Sequence, residues 1–233
     1  MSVLIVRNIP REGPGLLEKL LVHHRTPFEI VDAHTNLPDP TKYKAVVVLG
    51  GPASANDQNP VMQAELDMIK KAVGANMPYL GICLGMQTLV RANGGSVYKN
   101  EVPEIGWRAL NAEYFTIDIT RTGESDPLFA ELPKQIGIFH LHGETVMPTE
   151  AMQVLATGKY CHVQAVRVGD NAYGIQGHLE LTKDLLETWI TNDPDLRQLN
   201  PIALRQDYKT LRERYNATGR QLFTNFLRIA RLC

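Results

Sequence analysis

Pro78-Tyr79-Leu80-Gly81-Ile82-Cys83-Leu84-Gly85-Met86-Gln87 puts a single cysteine where an apolar run gives way to a helical pattern over Leu84 to Arg91. Cys83 therefore stands at a sharp bend between a strand and a helix. Glycines on both sides, Gly81 and Gly85, suit a turn that needs unusual dihedrals or close backbone approach. The first N–H groups of the following helix have no partner inside it and favour negative charge at the bend. A thiolate held there is a nucleophile toward carbonyl carbon. A lone free cysteine is more often a small buried hydrophobe. The bracketing glycines and the elbow pattern turn the reading toward chemistry.

A thiolate nucleophile needs a base, and the base needs a partner that fixes its tautomer. Of the seven histidines, His23 and His24 end a predicted helix and His34 lies in a polar loop. His140 and His142 flank Leu141 and fit either a cleft wall or a strand-end surface. His178 stands apart because Glu180 is two residues on, and along extended chain residues i and i+2 share a face. The carboxylate then takes one ring nitrogen while the other faces the thiol. Gly50-Gly51-Pro52-Ala53-Ser54 follows a buried strand directly. It is either a plain turn or the place where a backbone N–H joins that of Leu84 around the oxyanion of a tetrahedral intermediate.

Short elements position these groups. Val3 to Val6 and Ala45 to Leu49 read as strands covered on both faces, and Phe28 to Val31 as a third. Leu16, Leu17, Leu20 and Leu21 share one helical face. Val61 to Val73 repeats that period through Met62, Leu66, Ile69 and Val73. The order over the first ~95 residues predicts an α/β fold, an open, mostly parallel sheet flanked by helices, with sites at the carboxyl ends of its strands. From Val97 shorter alternating pieces, among them Trp107 to Leu110 and Tyr114 to Ile119, predict a small antiparallel sheet. Asp170-Asn171 suits a hairpin turn, and Leu181 to Ile190 a helix. Asn200-Pro201 has the form of an N-cap and first helical residue, opening a C-terminal helical extension with Leu222, Phe223, Phe226, Leu227 and Ala230 in one stripe. The division is a catalytic domain over 1–192 and an extension packed on it over 193–233. Seven Lys+Arg against two Asp+Glu after residue 202 suit a solvated basic face, or a docking surface for an acidic partner or a second copy of the chain.

The 233 residues carry 24 Lys+Arg and 25 Asp+Glu. That balance argues against nucleic acid or a membrane surface as the main partner. No apolar run approaches the ~18 residues of a membrane span. Cys83, Cys161 and Cys233 form an odd set without paired spacing, as in a reducing compartment, so a cytoplasmic location is expected.

Gly81-Ile82-Cys83-Leu84-Gly85-Met86-Gln87 resembles the nucleophile motif of class I, triad-type glutamine amidotransferases. Gly50 to Ser54 is similar to that family's oxyanion strand. Glu104-Ile105-Gly106-Trp107 and His142-Gly143-Glu144 are similar to secondary family segments. Gln176-Gly177-His178-Leu179-Glu180 corresponds to the family's Gln-Phe-His-Pro-Glu. The resemblance covers roughly residues 40 to 190 and implies a flavodoxin-like fold. It implies that Cys83 attacks the side-chain amide of glutamine, with Gly51 and Leu84 holding the oxyanion, His178 as acid and base, and Glu180 orienting it. Gly50, Gln87, Leu141 and His142 are the implied substrate contacts, and no metal or organic cofactor is required. Gly177 stands where Phe is usual and Leu179 where Pro is usual, which predicts an emptier wall beside His178 and a roomier site. Three functions follow: a glutaminase feeding ammonia to a separate synthase, a free-standing hydrolase of γ-glutamyl peptides or conjugates, and, less favoured because the triad residues are present, a non-catalytic module that binds glutamine.

Overall fold

The computed structural model describes residues 2–233. The first half runs β1 (Val3–Arg7), α1 (Leu16–His23), β2 (Phe28–Asp32), β3 (Ala45–Val48), α2 (Pro60–Gly74), β4 (Tyr79–Ile82), α3 (Leu84–Ala92) and β5 (Ser96–Gly106). It continues through β6 (Thr116–Ile119), a short α4 (Arg121–Glu124), β7 (Gln135–Gly137), β8 (His140–Met147), β9 (Gln153–Gly158), β10 (Val163–Val168), β11 (Ala172–Ile175), α5 (Lys183–Asn192) and α6 (Pro201–Ile229).

Nine strands form one sheet in the order β2-β1-β3-β4-β11-β10-β9-β6-β7, and β5 pairs β8 in a second, antiparallel sheet. The strands from β2 to β11 pair in parallel, and those beyond β11 pair antiparallel. β11 joins the parallel half because the turn through Asp170 and Asn171 folds it back on β10 and lays it beside β4. β3 and, except for Arg7, β1 are buried, with alternate residues feeding opposite cores: Val3, Ile5 and Val47 face α1 and α6, while Leu4, Val6, Val46 and Val48 face α2 and α3. That two-sided cover is why their sequences are continuously apolar. The parallel strands end together, bringing Asn8, Gly50, Cys83 and Gln176 to one edge.

Two expectations are corrected. Trp107 to Leu110 is not a strand. Trp107 packs on Phe139, Tyr208 and Tyr215, with ring centroids 4.8, 6.1 and 5.0 Å away, whereas Leu110 is 98% exposed in the turn that follows. On α2 the buried face is Met62, Glu65, Met68, Ile69 and Ala72, with Leu66 and Val73 only partly covered. The helix is rotated so that a glutamate points into the core. Helix ends follow local rules: the Asn59 side chain accepts from Met62 N–H, and that of Asn200 from the N–H groups of Ile202 and Ala203, each followed by proline. On α6, Leu222, Phe223, Phe226 and Leu227 are each at most 1% exposed, and burial of side chains of this kind contributes roughly 1.5–3 kcal/mol apiece. Among the described residues no helix is long and apolar enough to cross a membrane.

Candidate active site

Cys83 caps α3 with φ 53° and ψ −108°, a backbone state that costs on the order of 1–3 kcal/mol and persists only where the surroundings over-determine it. Its N–H donates to Ile175 O at 2.8 Å, and its carbonyl accepts from the N–H groups of Met86 at 3.0 Å and Gln87 at 3.1 Å. The flanking glycines are steric necessities. A Cβ on Gly81 would lie 2.1 Å from Gly85 O, and one on Gly85 would lie 2.2 Å from Val48 O. Strand and helix touch backbone to backbone, and the bend between them pushes the thiol outward.

The thiol faces a cavity of about 340 Å³ whose walls include Glu12, Gly51, Gln87, Leu141, His142 and Glu144. Cys83 Sγ lies 3.8 Å from Leu141 O and 3.8 Å from Gln176 Nε2. His178 is 1% exposed, and its Nδ1 meets Glu180 Oε1 at 2.6 Å. Its Nε2 has no hydrogen-bond partner among the described residues. Burial alone would lower the pKa of this ring, but the Glu180 carboxylate and the Cys83 thiol beside it prevail and hold it well above its ordinary value. One further contact packs on the ring and two more hold the residue's backbone. Trp189 packs edge-on at 4.8 Å, His178 N–H donates to Phe139 O at 2.8 Å, and the Tyr215 hydroxyl of α6 donates to His178 O at 2.8 Å. The same hydroxyl accepts from Leu181 N–H at 3.2 Å.

The other residues singled out in the sequence divide. Gln87 is 4% exposed, and its amide donates to Glu144 O at 3.2 Å and Gln176 Oε1 at 3.3 Å, a strut across the cavity floor. Gly51, Leu141 and His142 line the cavity, and Leu84 opens α3 with an N–H the helix cannot satisfy. Gly50 does not line it. This glycine sits behind Glu12, whose Oε2 lies 2.3 Å from where a Gly50 Cβ would be, with His178 Cε1 at 3.1 Å and Cys83 Cβ at 3.4 Å from the same point. His140 and His142 are buried in β8 rather than placed at a surface. Burial, with His142 and His178 nearby, pushes the His140 pKa well below its ordinary value. His142 Nδ1 meets Glu144 O at 3.0 Å and its Nε2 meets Glu104 Oε2 at 2.9 Å. Glu104, His140 and His142 offer three donor atoms within 4.8 Å of one another, a set that metal ions use. Here Glu104 Oε2 is already engaged by His142 and by Gln164 Nε2 at 2.8 Å, so the group reads as a strut behind the cavity wall.

The expectation of an empty wall beside His178 is overturned. A Cβ on Gly177 would meet Ile138 Cδ1 at 2.6 Å and His140 Cε1 at 2.8 Å. Ile138, from the connection between β7 and β8, fills the space, and neither residue lines the cavity. Glu12 was not foreseen. It lies in the loop after β1, 6% exposed, and its pKa is pushed up to about 7, chiefly by burial; His178 and Arg11 oppose the shift while Glu180 and Asp193 add to it. An acidic residue between Pro10 and Gly13 reads like any solvated loop charge. Only its place at the end of β1, beside the end of β3, marks it out.

Residues 15–193 match the family model described as glutamine amidotransferase class-I, and the chain belongs to that family. It is 32% identical over 155 residues to the glutamine amidotransferase-like protein YfeJ of Salmonella typhimurium, covering 64% of this chain and 62% of YfeJ. It is 30% identical over 182 residues to the glutamine-hydrolyzing GMP synthase of Thermosipho melanesiensis, covering 77% of this chain and 30% of that protein. The chain thus spans less than two thirds of either relative. A crystal structure of a glutamine amidotransferase from Thermotoga maritima superposes with a TM-score of 0.85 over 99% of this chain and 98% of that one, at 24% identity. At that identity the likeness establishes the α/β fold alone.

Proposed function

We propose that this chain is a cysteine-dependent glutaminase of the cytoplasm that hydrolyses the side-chain amide of glutamine and passes ammonia to a separate synthase. The observation that carries the reading is the strained Cys83 elbow opening into the cavity beside an imidazole held by Glu180 at 2.6 Å. Cys83 attacks the amide carbon, and the N–H groups of Gly51 and Leu84 bind the oxyanion. Collapse breaks the C–N bond, and the nitrogen takes a proton from His178. Water deprotonated by His178 then hydrolyses the γ-glutamyl thioester, and Glu180 keeps the ring in one tautomer throughout. Gln87 and the chain at Leu141 and His142 hold the amino-acid end of the substrate. The likeness of the chain to less than a third of a GMP synthase whose name records glutamine hydrolysis supports the link to a synthase. The γ-glutamyl peptide reading loses the observation that favoured it, since Ile138 occupies the space beside Gly177. Ammonia release from L-glutamine tests the proposal: Cys83→Ala should reduce it to background, and undiminished release would remove the thiol from the mechanism.

A further inference from the structure

Glu12 and Asp193 are buried carboxyls lining the cavity for which the chemistry above has no use; Asp193 is held by Arg11, and Glu12 has no such ion pair among the described residues. Glu12 is 6% exposed, no side-chain hydrogen bond holds it among the described residues, and its Oε2 and the Cε1 edge of His178 border the same point above Gly50, 2.3 and 3.1 Å from where a Cβ there would lie. Its oxygens open onto the cavity and remain available to a donor bound there. Asp193 and Asp195 line the same cavity from the segment after α5, and Arg11, beside Glu12, is already held by Asp193 at 3.0 Å. These groups come from elements other than α3 and β8, which carry Gln87, Leu141 and His142. The amino-acid end and the leaving end of a substrate therefore meet different walls.

We propose that Glu12 binds the departing amine, and that the cavity selects γ-glutamyl amides whose leaving group is cationic, ammonia or an amine bearing a further ammonium, over those whose leaving group bears a carboxylate. The inference rests on the assignment of Cys83 and His178 given above. The C–N electron pair stays on the nitrogen, His178 supplies the proton, and Glu12 accepts an N–H hydrogen bond without exchanging atoms. The nitrogen that His178 protonates must lie beside its ring, and Glu12 is the cavity-lining carboxyl that shares the space above Gly50 with that ring. A carboxylate on the leaving group would enter a cavity whose charged walls are Glu12, Glu144, Asp193 and Asp195 against Arg11, which Asp193 already holds at 3.0 Å.

Binding separates this inference from turnover. Full-length Cys83→Ala protein is titrated calorimetrically with mono-γ-glutamyl-1,5-diaminopentane and with γ-glutamylglycine. The expected result is at least tenfold tighter binding of the diamine conjugate, with the ratio falling severalfold or more toward one when Glu12→Gln is added. Equal affinities for the two conjugates, binding of neither, or a ratio unmoved by Glu12→Gln would overturn it. The first comparison requires no change at Glu12, so misfolding of that variant cannot decide the outcome. Absence of glutamine turnover by the wild-type chain alongside a clear binding preference would count against the glutaminase reading and not against this one.

Discussion

Cys83 is held in a backbone state that a cysteine does not choose, and the interactions that hold it are backbone contacts of β3, β4, β11 and α3. The strain fixes where the sulfur points, so that little reorganisation is left for the reaction. Glu180 acts on His178 through one short hydrogen bond. Glu180→Gln replaces an acceptor with a group that also donates and so disturbs the ring's tautomer. The expected result is a fall in kcat for ammonia release of about 10² to 10⁴ with a far smaller change in KM, and an unchanged kcat would exclude the orienting role. At Gly177 the expected effect is one of packing. Gly177→Ala should cost about 1–3 kcal/mol in urea unfolding because Ile138 must yield. Part of that loss should return in the double variant with Ile138→Ala, a coupling that independent sites would not show.

α2 is the element whose chemistry departs most from its pattern. Glu65 is fully buried, neither of its oxygens has a hydrogen-bond partner among the described residues, and burial pushes its pKa up to about 7 against the partial opposition of Thr88 and Asn8. The folded chain therefore keeps this proton between pH 4.5 and 7, where an unfolded chain has released it. The contribution is fully present below pH 4.5 and is lost as pH rises through 7, on the order of 3 kcal/mol in all. Glu65→Gln should accordingly be more stable than the wild type at pH 8, with the difference shrinking toward pH 4.5. Urea unfolding at the two pH values measures it, and parallel pH slopes would contradict the assignment. What was legible in the sequence depended on where the constraint comes from. Gly81, Gly85 and Asn200-Pro201 were legible because the backbone demand is written in the residue type. Glu65, Trp107 and Ile138 were not, because their environments are supplied by residues distant in sequence: Thr88 and Asn8 for the first, Phe139 and Tyr215 for the second, Gly177 for the third. Glu12 shared that fate, as its burial depends on Gly50 lying beneath it.

At the scale of the molecule, α6 lies beyond the family-matched residues yet takes part in the site. Gly219 lets it approach so closely that a Cβ there would lie 2.4 Å from Leu179 O, and Tyr215 bonds to both His178 O and Leu181 N–H. We propose that the 193–233 extension is part of the catalytic scaffold. Tyr215→Phe leaves two buried backbone groups without that partner. It should cost about 1–3 kcal/mol of stability and lower kcat severalfold with little change in KM, whereas a purely structural role would leave kcat of the folded fraction unmoved. In the mechanism proposed above, the sulfur of residue 83 becomes acylated by glutamine. Incubation with the glutamine analogue 6-diazo-5-oxo-L-norleucine followed by peptide mass spectrometry tests it most directly. The account predicts a single covalent adduct on Cys83, formed in parallel with loss of ammonia release and absent from Cys83→Ala. Complete loss of activity with Cys83 unmodified, or labelling of Cys161 or Cys233 in its place, would contradict it.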